Sequence, residues 1–337
     1  MKVFKYLFIS SMLFVATSCG NSWLDLEPST SVDTETSIKI LSDVEFTLNG
    51  IYSTMQSSDA YSGRLVYYGD VTGDDMQAVS STKRVANYYR FNFTKDDNPS
   101  SHWSYLYSII QNCNLILMNI DKLAIDEEDK AYRDDLKGEA LAIRGLALFD
   151  LTRIFGYPYL KDNGASLGVP IIEGLSTIDS KPTRNTVAQC YTKIIDDLTQ
   201  SISLLGEKFN KGKINKWGAM VLLSRVYLYK GENANALKMA GDAITGAEKN
   251  KYALWTNEDY PTAWGEDASA SKPGEVLFEI VNLTTDSPGK ESMGYLNSYD
   301  GYDDMCITCS FYQFLKEDPK DIRLKLLSFD KKYYAYV

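Results

Sequence analysis

Long stretches of helical periodicity constrain the fold of this chain more than any other feature of its sequence. Apolar residues recur every three to four positions, a spacing that places them on one face of an α-helix. Four segments show this pattern: 38–55, 103–120, 127–155 and 183–205. The third segment is followed by Gly156-Tyr157-Pro158, and glycine and proline commonly follow a helix C terminus. The periodicity therefore predicts long helices that each bury one face.

Residues 217–248 match one unit of the tetratricopeptide repeat, a pair of antiparallel helices. With Tyr227 at the tyrosine of that pattern, its leucine, small residue, turn glycine and two alanines fall on Leu223, Ser224, Gly231, Ala236 and Ala243. Small side chains are needed where two helices approach closely, while Leu and Tyr fill the remaining groove. A generic helical hairpin is the alternative. The sequence predicts a mostly α fold, a tetratricopeptide-like helical array with long irregular loop insertions and minor β.

Two long segments interrupt the helices. Residues 57–100 and 282–310 are polar, contain glycine and are rich in tyrosine, and neither shows a sustained helical period. The first is too long for an idle connection in a compact domain, which favours a functional role. Just before the second segment, residues 275–281 alternate enough to predict a strand.

The tyrosines in these two segments are candidates for ligand binding. The chain has 24 tyrosines, and each presents an apolar ring with a polar tip. Sugars expose C–H faces that pack on such rings and hydroxyl groups that need polar partners. The candidate glycan-binding residues are Tyr67, Tyr68, Tyr88, Tyr89, Tyr295, Asn297, Tyr299 and Tyr302. For any one of these tyrosines a purely structural role is the alternative, and Trp103, Tyr107, Trp217 and Tyr227 are assigned to the core because they keep helical period.

The N terminus is typical of an exported lipoprotein. A basic start, an apolar run over 6–16 and small residues precede Cys19, as in secretory signal peptides. The run is too short to span a bilayer. We expect a lipoprotein signal peptide over 1–18, a lipid on Cys19 as the only membrane anchor, and an extended tether over 19–37. The alternative is an ordinary signal peptide with Cys19 incidental.

Charge and cysteine content exclude several classes of protein. With 35 basic against 45 acidic side chains and a formal net charge of −10, we expect no nucleic-acid partner, because phosphates require clustered Lys and Arg. Cys306 and Cys309 have CxxC spacing, yet a tetrahedral zinc site would lack ligands, since the chain has one histidine and no second CxxC. Two free thiols or a local disulfide is expected there, and Cys113 and Cys190 are expected to be buried.

Catalysis has little support in the sequence. His102, the single histidine, has no nucleophile motif around it. Residues 70–75 are acidic but do not fit the ligand spacing of a calcium loop, so a polar turn is expected. Paired carboxylates for glycoside hydrolysis stay open, since acidic residues are abundant. We expect no enzymatic activity, no metal site and no cofactor.

Several segments, in order along the chain, resemble the SusD/RagB family of outer-membrane nutrient-binding lipoproteins. The matching blocks are 23–28, 138–156 with 168–171, 182–184, 191–198, 216–231 and 275–279. The resemblance implies a tetratricopeptide-like scaffold carrying glycan-binding loops. It also implies a packing role for Trp255, Tyr260 and Trp264. Members of the family are usually longer, so we expect residues 38–337 to form a SusD-like helical domain that is truncated at its C terminus.

Two functions from different classes follow. The first, implied by the resemblance, is a non-catalytic cell-surface lipoprotein that binds an oligosaccharide or polysaccharide and delivers it to a SusC-like TonB-dependent transporter in the outer membrane. The second is a tetratricopeptide-type scaffold lipoprotein of the cell envelope that binds proteins. The tyrosine-rich segments favour the first, since a pure scaffold would have short turns between its helices.

Overall fold

The computed structural model describes residues 37–94, 99–177, 179–207, 210, 212–264, 274–283, 285–329 and 335–336. The predicted signal peptide over 1–18, the lipidation site Cys19 and all of the tether except residue 37 lie outside the described residues, so these three remain predictions. The unit that carries the fold spans Ile40–Val337.

Helices dominate this unit, which confirms the mostly α prediction. The helices are α1 Leu41–Met55, α2 Arg64–Val71, α3 Ala86–Tyr89, α4 Ser100–Asn119, α5 Lys130–Phe155, α6 Val187–Leu204, α7 Lys216–Lys230, α8 Asn233–Lys249, α9 Tyr260–Ala263, α10 Met293–Asn297 and α11 Cys309–Lys316. Short 3₁₀ turns lie at Ile120–Lys122, Glu127–Asp129, Tyr159–Lys161, Gly289–Glu291 and Ile322–Leu326. The strands are β1 Met76–Ala78, β2 Met305–Ile307, β3 Ser328–Phe329 and β4 Ala335–Tyr336.

The long helices form an array in which each helix from α4 to α8 packs on the next, and α1 packs on α4. Helix α5 is central, because every residue from 138 to 152 is buried. Two glycines of α5 allow α6 to approach: a Cβ added at Gly138 would lie 2.8 Å from Leu205 Cγ, and one at Gly145 would lie 3.1 Å from Leu198 Cγ. Close helix packing therefore depends on the missing side chains at these two positions.

A buried ion pair joins three helices of this array. Arg144 of α5 donates to both carboxylate oxygens of Asp197 on α6, at 2.8 and 2.6 Å, and to Asn114 Oδ1 on α4 at 2.8 Å. Lys193 lies 3.3 Å from the same carboxylate. Asn114 Nδ2 in turn donates to the carbonyl oxygen of Ile172, at 2.7 Å. Polar groups this deeply buried need such partners, because an unpaired charge in the core is costly.

The tetratricopeptide-like hairpin is confirmed. Helices α7 and α8 pack together, and Gly231 between them has a left-handed φ of 82°. Ala236 and Ala243 are buried, and Ser224 Oγ donates to the carbonyl oxygen of Ala236 at 2.9 Å across the hairpin. The small residues of the repeat pattern thus lie where the two helices meet.

Helix α6 begins later than the periodicity indicated, at Val187 rather than at Thr183. The reason is a capping box: Thr186 Oγ1 accepts from Gln189 N at 3.2 Å, while Gln189 Oε1 accepts from Thr186 N at 2.9 Å. This reciprocal pair satisfies backbone donors at the helix start and sets its first residue.

The strand predicted over residues 275–281 is wrong. None of its residues belongs to a strand. Side chains of residues that cap two helices bind its backbone instead: Asn215 Nδ2, before α7, donates to Leu277 O at 2.6 Å, and Gln56 Nε2, after α1, donates to Val281 O at 2.5 Å. The backbone of this segment is thus bound by polar side chains at helix ends rather than by a neighbouring strand.

The four cysteines in the described part of the chain are free thiols. Cys113, Cys190 and Cys306 are buried and Cys309 is exposed. Burial of Cys113 and Cys190 was expected, and for the CxxC pair the structure has two thiols rather than a local disulfide.

Candidate functional site

The two tyrosine-rich segments meet in one structural body. We call the described residues 57–94 the first segment and those of 282–310 the second segment. Strand β1 of the first pairs antiparallel with β2 of the second, with Met76 opposite Ile307 and Ala78 opposite Met305. The pairing continues past both strand ends, where Thr308 N donates to Asp75 O at 2.8 Å and Val79 N to Asp304 O at 3.3 Å.

An apolar cluster shared by both segments lies beneath this sheet. Its buried members are Tyr67, Val71, Met76, Val85, Tyr88, Leu296, Met305 and Ile307. Half-buried side chains of Tyr68, Ala78, Tyr302, Phe311, Tyr312 and Leu327 pack against them. Sequence analysis predicted two irregular segments, and the structure has instead a small body with helices α2, α3 and α10 and its own core.

Hydrogen bonds attach this body to the helical array. Tyr61 OH donates to Asp150 Oδ2 of α5 at 2.7 Å. His102 of α4 lies with Nδ1 3.2 Å from the carbonyl oxygen of Asp59. Burial of His102 lowers the pKa of its imidazole, so the ring stays neutral, and its edge meets the ring of Tyr68 at 5.7 Å between centroids. The histidine thus has a packing role at this junction.

Tyr67 and Tyr88 lie inside the shared core. Tyr67 is only 1 % exposed, and burial raises the pKa of its phenol well above the usual value. Tyr88 is also buried and packs perpendicular to Tyr68 at 5.4 Å. Their rings cannot meet a ligand without opening this core, so we leave both residues out of the site proposed below.

The exposed aromatic side chains of the first segment follow directly after Tyr88. Tyr89 is 38 % exposed and Phe91 is 64 % exposed. Phe93 is also exposed and packs against Phe91 at 6.3 Å and against Tyr68 at 6.5 Å. We call Tyr89, Phe91 and Phe93 the aromatic patch. The backbone of Phe91 has a left-handed φ of 53°, which a phenylalanine rarely adopts and which the surrounding structure must hold in place.

The predicted residues of the second segment include two rings in edge-to-face contact. Tyr295 and Tyr302 meet edge to face at 5.2 Å, and the guanidinium of Arg84 lies 3.7 Å above the Tyr302 ring. One face of Tyr302 is therefore covered. Tyr299 is 45 % exposed, and Asn297 is half-buried with Oδ1 buried and making no hydrogen bond within the described residues.

Sequence reasoning missed Phe91 and Phe93. A signal is present, because aromatic residues stand at every second position from Tyr89 to Phe93, but the unusual abundance of tyrosine points only to the tyrosines. Arg84 has no signal in the sequence, because its role depends on the ring of Tyr302, which lies more than two hundred positions away in the chain.

A third aromatic group lies outside this body. Trp255, Tyr260 and Trp264 contact one another with ring centroids 5.3 to 6.1 Å apart, as their predicted packing role requires. Tyr260 and Trp264 also border an open, apolar cavity of about 440 Å³. The other wall of this cavity is formed by Phe311, Leu315, Arg323, Leu326 and Leu327.

The described part of the chain has neither a metal-binding cluster nor a membrane-spanning helix. No group of three or more His, Cys, Asp or Glu side chains is arranged to hold a metal ion there. No helix in the same residues is long and apolar enough to cross a membrane.

The chain is similar to SusD-like proteins. The SusD-like family model described as "Starch-binding associating with outer membrane" matches residues 22–228. SusD-like protein P2 of Formosa agariphila is 28 % identical over 313 residues, which are 89 % of this chain and 57 % of that protein. The chain spans about half the length of the curated relatives it matches, from 42 to 57 %.

Solved structures are similar over most of the chain. A crystal structure of a Bacteroides vulgatus protein described as sugar binding is 82 % identical, with a TM-score of 0.88, and the match covers 90 % of this chain and 68 % of that one. A SusD superfamily protein of Bacteroides thetaiotaomicron is 37 % identical with a TM-score of 0.80, over 87 % of this chain and 65 % of that one.

Proposed function

Because the chain belongs to the SusD-like family, whose model matches residues 22–228, we propose that it is a non-catalytic glycan-binding lipoprotein of the outer membrane. It captures an oligosaccharide or polysaccharide at the cell surface and delivers it to a SusC-like TonB-dependent transporter. Residues 1–18 act as its signal peptide, and a lipid on Cys19 anchors it.

The aromatic patch is the observation that carries glycan binding. Tyr89, Phe91 and Phe93 expose ring surface at the end of the first segment, where a sugar ring can stack. Arg90 and Asn92 lie between them in the chain and are also exposed, so hydrogen-bond donors and acceptors for hydroxyl groups are at hand. Exposed aromatic side chains of this kind are costly to keep in water and commonly mark a binding surface.

Tyr299 is the second element of the proposed site. It is exposed in a turn of the second segment, which shares its core with the first segment through Tyr88 and Tyr302. Among the other predicted residues, Tyr68 packs against Phe93, Tyr295 packs against Tyr302, and Asn297 is half-buried. The proposed ligand surface is therefore Tyr89, Phe91, Phe93 and Tyr299.

Isothermal calorimetry against a panel of plant, host and microbial polysaccharides tests the proposal. The variants are Phe91→Ala and Phe93→Ala, singly and together, and the matched control is Phe46→Ala. Phe46 lies on α1 and is 73 % exposed, so its loss removes a similar ring from an unrelated surface. Loss of a stacking ring costs about 1 kcal/mol or more, and 1.4 kcal/mol is about a tenfold change in Kd.

We expect the double variant to bind at least about tenfold more weakly than the wild type and the Phe46 variant to bind as the wild type does. If all variants bind as tightly as the wild type, the glycan does not bind at the aromatic patch. If the wild type binds none of the polysaccharides but captures a partner protein from solubilised membranes, the chain is the envelope scaffold instead.

The anchor is tested separately. Cys19→Ala should abolish incorporation of a fatty-acid probe and release the protein from the membrane fraction, because the lipid is the proposed anchor. Cys309→Ala is the control, since Cys309 is the exposed thiol of the folded unit. Equal labelling of wild type and the Cys19 variant would refute lipidation at this position.

A further inference from the structure

Two adjacent cations of the first segment contact the turn of the second segment that carries Tyr299. Arg84 places its guanidinium 3.7 Å above the centroid of Tyr302. Its Nη1 lies 3.4 Å from Glu291 Oε2, and its Nε lies 3.9 Å from Asp304 Oδ2. Planar stacking on a ring combined with two carboxylate contacts suits the flat guanidinium of arginine and not the point charge of lysine.

Lys83 contacts the same turn through neighbouring atoms. Its Nζ donates to the carbonyl oxygen of Tyr302 at 2.6 Å and lies 3.4 Å from Asp303 Oδ2. Asp303 has a left-handed φ of 53°, a conformation that needs support from neighbouring groups. The two cations therefore contact three successive residues, 302 to 304.

The turn itself folds back on α10. Tyr302 N donates to Tyr295 O at 3.0 Å, Asp303 N donates to Ser298 O at 3.2 Å, and Asp304 N donates to Leu296 O at 3.0 Å. A Cβ added at Gly301 would lie 1.9 Å from Tyr295 O, so only glycine permits this approach. Tyr299 lies within the loop that these three hydrogen bonds close.

Arg84 also compensates a buried charge. Asp304 is almost fully buried, and its Oδ2 makes no hydrogen bond within the described residues. Burial raises the pKa of this carboxyl group, while Arg84 and Lys83 act in the opposite direction. Removing Arg84 would leave a buried carboxylate with weaker compensation, which disfavours the closed turn.

We infer that Arg84 is a positioning residue of the proposed glycan site: by stacking on Tyr302 and pairing with Asp304 and Glu291, it holds the 295–304 turn closed and so fixes the orientation of Tyr299. Lys83 supports it through the Tyr302 carbonyl and Asp303. This inference rests on the proposed function for the ligand but not for the turn, since the contacts exist in the protein alone.

The experiment has one arm without ligand. Hydrogen exchange of the amides of Tyr302, Asp303 and Asp304 is measured in the wild type, Arg84→Gln and Arg84→Lys. The control is Arg133→Gln, which removes a guanidinium paired with Asp134 at 2.6 Å and of similar exposure. We expect exchange at these amides to rise about tenfold in Arg84→Gln, less in Arg84→Lys, and not at all in the control.

Unchanged exchange in Arg84→Gln overturns the inference whatever the ligand result. If exchange rises at the buried amides of α5 as well, that variant has unfolded, and Arg84→Lys then decides between a rise confined to 302–304 and no rise.

The second arm measures affinity for the glycan that the panel identifies. We expect Arg84→Gln to bind about five- to tenfold more weakly, with Arg84→Lys only partly restoring affinity because lysine keeps the charge but not the planar stack. Faster exchange with unchanged affinity would overturn the positioning role. If the wild type binds no glycan, the proposed function fails, and the exchange arm still decides whether Arg84 closes the turn.

Discussion

The helical array and the body built from the two aromatic segments are stabilised in different ways. In the array, helix α5 is buried over fifteen successive residues, 138 to 152, and small residues such as Gly138 and Ala236 lie where helices touch. In the aromatic body, two short strands and a cluster of tyrosines join segments that lie more than two hundred residues apart. Large rings there remain exposed at Phe91 and Tyr299. The array thus contributes most of the buried core, while the aromatic body carries the exposed rings that could bind a ligand.

The largest expected effect is the loss of the buried ion pair of the array. Asp197→Ala leaves Arg144 buried among α4, α5 and α6 without its carboxylate partner, which costs about 3–5 kcal/mol. The control Asp242→Ala breaks an exposed pair with Lys238 on α8 and should cost at most about 1 kcal/mol. Urea unfolding measures both, and equal losses would contradict the central role of α5.

Stability of the array should also fall as pH rises toward neutrality. Burial raises the pKa of Glu139 on α5 from 4.5 to about 7, although Tyr52 OH donates to it at 2.8 Å. Between these values the folded protein holds a proton that the unfolded chain has lost. The free energy of unfolding therefore falls as pH increases through this window, by about 3 kcal/mol from this group.

Glu139→Gln should remove most of that slope between pH 4.5 and 7, because the amide does not titrate. Glu128→Gln, at an exposed glutamate before α5, is the matched control and should keep the slope. Parallel pH curves for the wild type and the Glu139 variant would refute the raised pKa.

A smaller loss of stability is expected from substitutions in the hairpin of α7 and α8. Ala236→Trp places a large ring where Ser224 donates to the Ala236 carbonyl, and Gly231→Val puts a branched residue at a φ of 82° with Leu160 against it. Overpacking costs about 1–3 kcal/mol. Ala234→Trp, at an exposed position of the same helix, is the control, and a Tm unchanged in all three would mean that the repeat register is wrong.

The smallest stability effect is expected in the aromatic patch. Phe91→Ala should change the free energy of unfolding by about 0.5 kcal/mol or less, since its ring is 64 % exposed. Phe93→Ala should cost about 1 kcal/mol, because that ring also packs against Tyr68. Thermal unfolding beside the binding assay measures this. A loss as large as that of Ala236→Trp would show that the patch is structural, which would erase the contrast between the two regions.

Much of the array could be predicted from the sequence, because helical period and the spacing of small residues are local properties. Gly231, Ala236 and Ala243 occupy the positions that the repeat pattern assigned. Helix α6 starts four residues later than predicted, at Val187 rather than Thr183, because Thr186 and Gln189 form the capping pair that sets its first residue. At residues 275–281 the alternation in the sequence predicts a strand, but the backbone there bonds to side chains at helix ends instead.

The candidate site was less predictable. Eight residues in the two segments were singled out by composition, and among them Tyr89 and Tyr299 are exposed whereas Tyr67 and Tyr88 are buried. Phe91 and Phe93, the exposed rings beside Tyr89, are not among these eight. Composition identifies which side chains can stack on a sugar, but it does not show which of them are buried in the core.

The sequence by itself determined that this chain forms long amphipathic helices, a tetratricopeptide-like hairpin and two tyrosine-rich interruptions, because each of these is written in spacings of a few residues. Only the tertiary structure decided that the two interruptions form one body, through the pairing of Met76 with Ile307 and the stacking of Arg84 on Tyr302. Those contacts join residues 218 to 231 positions apart, and no local pattern encodes such pairings. They form because the packed helices bring the two segments together, where apolar rings are buried and the backbone groups of each strand are satisfied by the other.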